Sequence, residues 1–150
     1  MSVREDIVSN VVSTLQGISA ASGYNNTLAS TQVTRDVQNF RDNDGYDRKL
    51  VVMAVNEEQN WVDIGGNYME ARLTVRVEGR VRATSNIETE INQLIDDVET
   101  ALCADGTRGS LDGVHYTAPA GITYFQGVSD DELIFRYDFE VEYDYIYGSP

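Results

Sequence analysis

The stretch Leu133-Ile134-Phe135-Arg136-Tyr137-Asp138-Phe139-Glu140-Val141-Glu142-Tyr143-Asp144-Tyr145-Ile146-Tyr147 alternates almost without error. Its odd positions are apolar or aromatic, and its even positions from Asp138 to Asp144 are all acidic. Successive side chains of a strand point to opposite faces, so the pattern predicts one long strand with an aromatic face and an anionic face. A strand of about fifteen residues is far longer than the usual five or six. Such an element at the end of a small acidic chain points to pairing or assembly more than to a pocket built for chemistry.

The same alternation recurs from Tyr68 to Arg82. Met69, Ala71, Leu73, Val75, Val77 and Val81 share one face, and Glu70, Arg72, Thr74, Arg76, Glu78, Arg80 and Arg82 share the other. Gly79 interrupts the apolar face and reads as a bend or bulge. Four of the chain's eleven basic residues, Arg72, Arg76, Arg80 and Arg82, therefore lie on one polar face, opposite in sign to Asp138, Glu140, Glu142 and Asp144. Opposite charges on neighbouring strands stabilise their pairing by about 0.2–1 kcal/mol each. Two readings of these eight residues stand together. They join the two strands as sheet neighbours, and the acids in excess of arginine line a surface shared between subunits, such as a channel wall.

Working outward, Ile7, Val8, Val11, Val12, Leu15 and Ile18 fall on one helical face. This predicts a helix from Val3 to Ser19, with Ser2 as N-cap and Glu5 as its capping-box partner. Ile87, Ile91, Leu94, Ile95, Val98 and Leu102 predict a second helix from Asn86 to Ala104, opened by a capping box over Ser85 to Glu88. Shorter strands are expected at Thr31–Val37, at Leu50–Val55 (buried on both faces), at Trp61–Ile64, at Val114–Thr117 and at Ile122–Val128. Asp42-Asn43-Asp44-Gly45, Ser22 to Asn26, Gly65-Gly66-Asn67, the Gly-rich run from Asp105 to Gly113 and Ala118-Pro119-Ala120-Gly121 read as turns or breaks. Two amphipathic helices and two long strands with one apolar face each are satisfied together by an α+β fold: a mainly antiparallel sheet with both helices packed on one face.

Composition sets further bounds. At 150 residues the chain is expected to be a single domain, 1–150, with enough apolar content (41%) to bury a core. A net charge of −14 and a pI near 4.2 argue against binding in a nucleic-acid groove or on an anionic membrane, both of which call for basic side chains. Cys103 is the single cysteine, which excludes an intrachain disulfide framework. Leu102 and Ala104 beside it predict a buried thiol at a helix end. No apolar run approaches the length of a spanning helix, and the N-terminus, with Arg4, Glu5 and Asp6, lacks a signal-peptide core. A soluble protein that is not exported is the expectation.

Motifs for chemistry are missing. The single histidine, His115, has no second histidine or cysteine to build a metal site or triad with, and reads as structural or surface. Asp42 to Gly45 resembles part of a calcium loop, but Phe40 and Val51 occupy the first and the closing ligand positions. There is no glycine-rich phosphate loop. No enzyme, no catalytic residue, no metal site and no cofactor are expected.

The layout resembles the tail terminator (tail completion) proteins of long-tailed bacteriophages. The matching pieces are Val3–Ser19, Leu50–Val55, Tyr68–Arg82, Ile87–Leu102 and Leu133–Tyr147, and the likeness is one of layout and periodicity over most of the chain. The resemblance implies a structural virion protein of the tail or neck, assembled in the host cytoplasm. It implies a homo-oligomer, a hexameric ring, that caps the head-proximal end of the tail tube and stops its polymerisation. The partners implied are the tail tube protein and the head–tail connector protein, with genomic DNA passing the bore without specific binding and no membrane partner. An acidic wall suits such passage, because it repels phosphates. Two other readings stay open: another neck or tail component (a connector-stopper or tail tube protein), and a small-ligand binding domain using carboxylates around a cleft.

Overall fold

The two long strands are sheet neighbours over their whole length. Tyr68–Arg82 (β3) pairs antiparallel with Glu132–Ile146 (β5) without a register break, from Tyr68 opposite Ile146 to Arg82 opposite Glu132. In the computed structural model of the chain, the described residues are 2–37, 40, 45–62, 66–127 and 131–148. Around the central pair lie Val33–Thr34 (β1), Arg48–Trp61 (β2) and Val114–Gln126 (β4), in the sheet order β1-β2-β3-β5-β4. Every neighbouring pair is antiparallel except β1 with β2. Helices Val3–Gln16 (α1) and Ile87–Cys103 (α2) complete an α+β fold.

One core joins these layers. The odd residues of β3 and β5, among them Leu73, Val75, Val77, Phe135, Phe139 and Val141, are buried against Ile7, Val11 and Leu15 of α1 and Ile91, Leu94 and Val98 of α2. Each fully buried side chain of this size contributes about 1.5–3 kcal/mol relative to exposure. Both helices therefore cover one face of the sheet, as the two periodicities require.

Several local expectations need correction. Gly79 is not a bulge, since its pairs with Leu50 and Phe135 are in regular register on both sides. It is a hole in the apolar face that the Phe135 ring fills: a Cβ there would lie 2.1 Å from Phe135 Cε1. The bulge is instead on β2 between Ala54 and Asn56. It inserts Val55 and shifts parity, so that Leu50 and Val52 face the core before it and Glu57 faces the helix layer after it. The expected strands Leu50–Val55 and Trp61–Ile64, with the polar run between them, are one strand as far as Trp61; residues 63 and 64 lie outside the described set. Burial on both faces holds from Lys49 to Val52 and ends before Ala54.

Val114–Thr117 and Ile122–Val128 likewise merge, as far as Gln126, into β4. The break at Pro119 is a bulge within one edge strand, where proline and an extra residue are tolerated. The expected strand Thr31–Val37 shrinks to Val33–Thr34 behind a 3₁₀ turn. α1 stops at Gln16, three residues early. Its Ser2 cap accepts the Glu5 N–H at 3.2 Å, but the Glu5 carboxylate pairs with Arg35 rather than closing a capping box. The second capping box does not form: Asn86, at φ 56°, caps α2 without a side-chain hydrogen bond. The tight reversal out of β3 needs a left-handed residue, which asparagine tolerates. Cys103 ends α2 as expected but is exposed, because the core stripe passes through Leu102 beside it. The expected turns at 42–44 and at Gly65 lie outside the described residues.

Polar ties also hold the helices to the rest. Asp97 on α2, almost fully buried, accepts four hydrogen bonds, from the backbone and side-chain nitrogens of Asn25 and Asn26, at 2.8–3.1 Å. Glu57 takes Arg4 of α1 and the Tyr143 hydroxyl together. Burial pushes the Glu57 carboxyl up, but the hydrogen bonds from Arg4, Tyr143 and Gln59 outweigh it, and it titrates below its ordinary value. Burial, reinforced by Glu57, pushes the Tyr143 phenol up. At the end of α2, the buried Arg108 returns its guanidinium to the carbonyls of Leu102 and Asp105, where a cation complements the helix dipole.

Candidate functional surface

The face of the sheet away from the helices is built from the even residues of β3 and β5. Lys49 and Arg80 lie buried at one end of it, and the remainder is an open, half-exposed charged surface. The surface forms because both strands keep strict alternation: each residue that sends an apolar side chain to the core leaves a polar neighbour outside.

The eight charged residues singled out from the sequence divide into groups. Arg76 and Asp138 are direct cross-strand partners, joined by two hydrogen bonds at 2.8 and 3.1 Å. That bidentate geometry raises the Arg76 pKa. Arg72 lies between two acids, with Nε 3.4 Å from Glu142 and 3.5 Å from Glu140. These five residues form the expected inter-strand network. Arg82 pairs outside it, at the far end of β3, with its strand partner Glu132 at 2.7 Å. Arg80 is opposite Ile134, and its guanidinium donates to the carbonyls of Phe40 (3.0 Å) and Tyr46 (3.2 Å). Asp144 stands opposite Glu70 and takes His115 of β4 at 2.8 Å. The histidine is thus a surface residue tied to the acidic strand.

The sequence reading overlooked Arg136 with Glu78, a pair of reversed polarity at 3.0 Å. Both residues occupy even positions of the two alternating strands, but Arg136 lies outside the all-acidic run from 138 to 144 and Glu78 among arginines, so neither matches the sign of its stripe. Tyr116 was also missed; its hydroxyl donates to Glu140 at 3.2 Å. Acids outnumber bases on this face. Glu58, Glu70, Glu78, Glu132, Asp138, Glu140, Glu142 and Asp144 share it with Arg72, Arg76, Arg82, Arg136 and the buried Lys49 and Arg80.

The Arg76–Asp138 pair gives a direct test of the pairing. Both side chains are about 30% exposed, so solvent screening leaves the pair worth about 1 kcal/mol. Asp138→Arg should lower Tm by a few degrees, and adding Arg76→Asp should recover most of that loss. A double variant no more stable than Asp138→Arg alone contradicts the pairing.

The surface is open and carries a small polar depression. Its depression, lined by Asn56, Glu58, Arg72, Thr74 and Glu140, is about 100 Å³, enough for a few waters. A larger polar cavity of about 480 Å³ lies at the sheet end, lined by residues including Asp47, Arg48, Arg82, Ser85 and Glu90, with Arg48 and Glu90 paired across it. Among the described residues no three His, Cys, Asp or Glu side chains are grouped to hold a metal ion. No described helix is long and apolar enough to cross a membrane. No family model matches this chain, and no curated protein matches it.

Proposed function

We propose that this chain is a structural subunit of a bacteriophage tail, a tail terminator. In this reading its copies form a ring at the head-proximal end of the tail tube, stop tube polymerisation and join the tail to the head connector. The observation that carries the proposal is the open sheet face. It runs along two strands of fifteen residues each, holds carboxylates in excess, and is backed by a helix-covered core. A rigid anionic wall of this kind repels phosphates and lets DNA slide past without retention. The six-fold ring, the tube and connector partners and the virion location follow from the resemblance in layout.

Electron microscopy of the purified chain, alone and mixed with tail tubes, is the decisive experiment. Closed rings, or a cap on one end of each tube, are expected, together with restored head joining in an extract that lacks the terminator. Long cylinders formed by the chain alone would identify a tube protein instead. Failure both to form rings and to bind tubes would overturn the proposal. The polar cavity beside Arg48 is the observation on the side of a small-ligand domain, and a metabolite that raises Tm by several degrees would favour that reading.

A further inference from the structure

β4 is the edge of the sheet, and along its thirteen residues it carries no Asp, Glu, Lys or Arg. Edge strands are ordinarily protected from pairing with other chains by charge, proline or a bulge. Here the irregularities lie between Val114 and Tyr116 and at Pro119–Gly121, and the segment from Gly121 to Gln126 beyond them pairs regularly with β5. Ile122, Tyr124 and Phe125 on it are 38%, 53% and 37% exposed.

The order of residues in this segment is self-complementary. When two copies pair antiparallel about a two-fold axis normal to the sheet, opposed residues lie on the same face, so the axis must pass through a residue. With the axis at Thr123, Thr123 meets its own copy. Tyr124 meets Ile122 twice, and Phe125 meets Gly121 twice. Thr–Thr and aromatic–β-branched pairs are favourable cross-strand combinations. Nothing lies within 4 Å of the Cβ position of Gly121, which leaves room for a ring. Phenylalanine opposite glycine is also the solution this sheet uses internally, at Phe135 and Gly79. Two chains of charge −14 repel, and the strand itself brings no carboxylate to the contact; Glu88 of α2 and Arg136 of β5 flank Tyr124 and Phe125.

We propose that β4 is a homodimerisation strand, through which two copies join their sheets about a two-fold axis at Thr123. The proposal does not depend on the tail-terminator reading. A cyclic ring uses only head-to-tail contacts, so the dimer is a state of the free chain that ring assembly has to exchange. A five-residue ladder is a small interface, so dissociation in the micromolar range or weaker is expected.

Sedimentation equilibrium over about a hundredfold concentration range tests it. The unmodified chain should pass from monomer to dimer. Thr123→Lys and Thr123→Glu should each weaken dimerisation at least about tenfold, because each places like charges face to face at the axis. Thr123 is exposed and lies opposite Arg136 within the chain, so Tm measured on the monomer should fall by no more than a few degrees for Thr123→Lys and should not fall for Thr123→Glu. Mixing the two variants should restore the dimer, with lysine opposite glutamate. A chain that stays monomeric throughout overturns the proposal. So do single variants that dimerise as well as the unmodified chain, and so does a mixture that fails to dimerise when the unmodified chain succeeds. None of these outcomes bears on whether the chain caps tail tubes, which the microscopy reads separately.

Discussion

Replacing Gly79 with valine should destabilise the chain by about 4 kcal/mol, the largest effect expected of any single substitution considered. On an ordinary strand position the change would stabilise, because glycine costs roughly 0.5–1 kcal/mol relative to alanine and valine fits a pleated sheet. Here the first added carbon meets Phe135 at 2.1 and 2.4 Å and Leu50 at 3.0 Å. The Phe135 side chain is fully buried, so the ring has nowhere to retreat. Gly79→Ala should cost about 2–3 kcal/mol for the same reason. Shortening the ring makes room, so Gly79→Ala with Phe135→Leu should be more stable than the sum of the single effects predicts. Denaturant unfolding of the four proteins reads the coupling. Additive costs, or a stable Gly79→Val, would show that the ring does not occupy the glycine's place.

Asp97→Ala should cost about 3 kcal/mol and lower Tm by about 6–12 °C. The carboxylate accepts from four nitrogens of Asn25 and Asn26, and it is only 2% exposed. Removing it leaves donors at a site water reaches poorly, and frees the turn after α1 from α2. Asp97→Asn should be nearly as damaging, since its amide nitrogen would face donors and accept nothing. Calorimetry gives the loss, and amide exchange should rise first at Asn25 and Asn26. Melting points within 2 °C of the unmodified chain for both variants would show that the tie contributes little.

These two residues also mark where sequence reading stops. Gly79 was visible as an interruption of the apolar face, and a bulge was the local inference. The ring that fills the gap is supplied by Phe135, across the sheet. Asp97 gave no signal, because one more acid on an acidic helix is unremarkable until Asn25 and Asn26 arrive beside it. Arg80 was legible as a member of the basic stripe, but its burial depends on the carbonyls of Phe40 and Tyr46 reaching its guanidinium from far along the chain. The same holds for the surface. That Arg72 and Arg76 face acids of β5 could be read from opposite signs on two alternating strands, because burying each apolar face fixes which side chains share a face; which acid each arginine meets could not, since a slip of two residues keeps the same faces. His115 with Asp144 could not, since it needs the position of β4 across a bulge.

The sequence by itself determined the α+β class, the two helices and the lengths of the two central strands. Those properties rest on periodicity, and periodicity is a relation among residues a few positions apart. Only the tertiary structure decided that Asn56–Asn60 continues β2, that Pro119 lies within β4, and which charges meet. Bulges carry no periodic signature: one extra residue at Val55 reverses which side chains face the core, and the ladder with β3 resumes beyond it at Asn56 opposite Thr74. Pairings of that kind join residues tens of positions apart, and their energies depend on distances that no local pattern records.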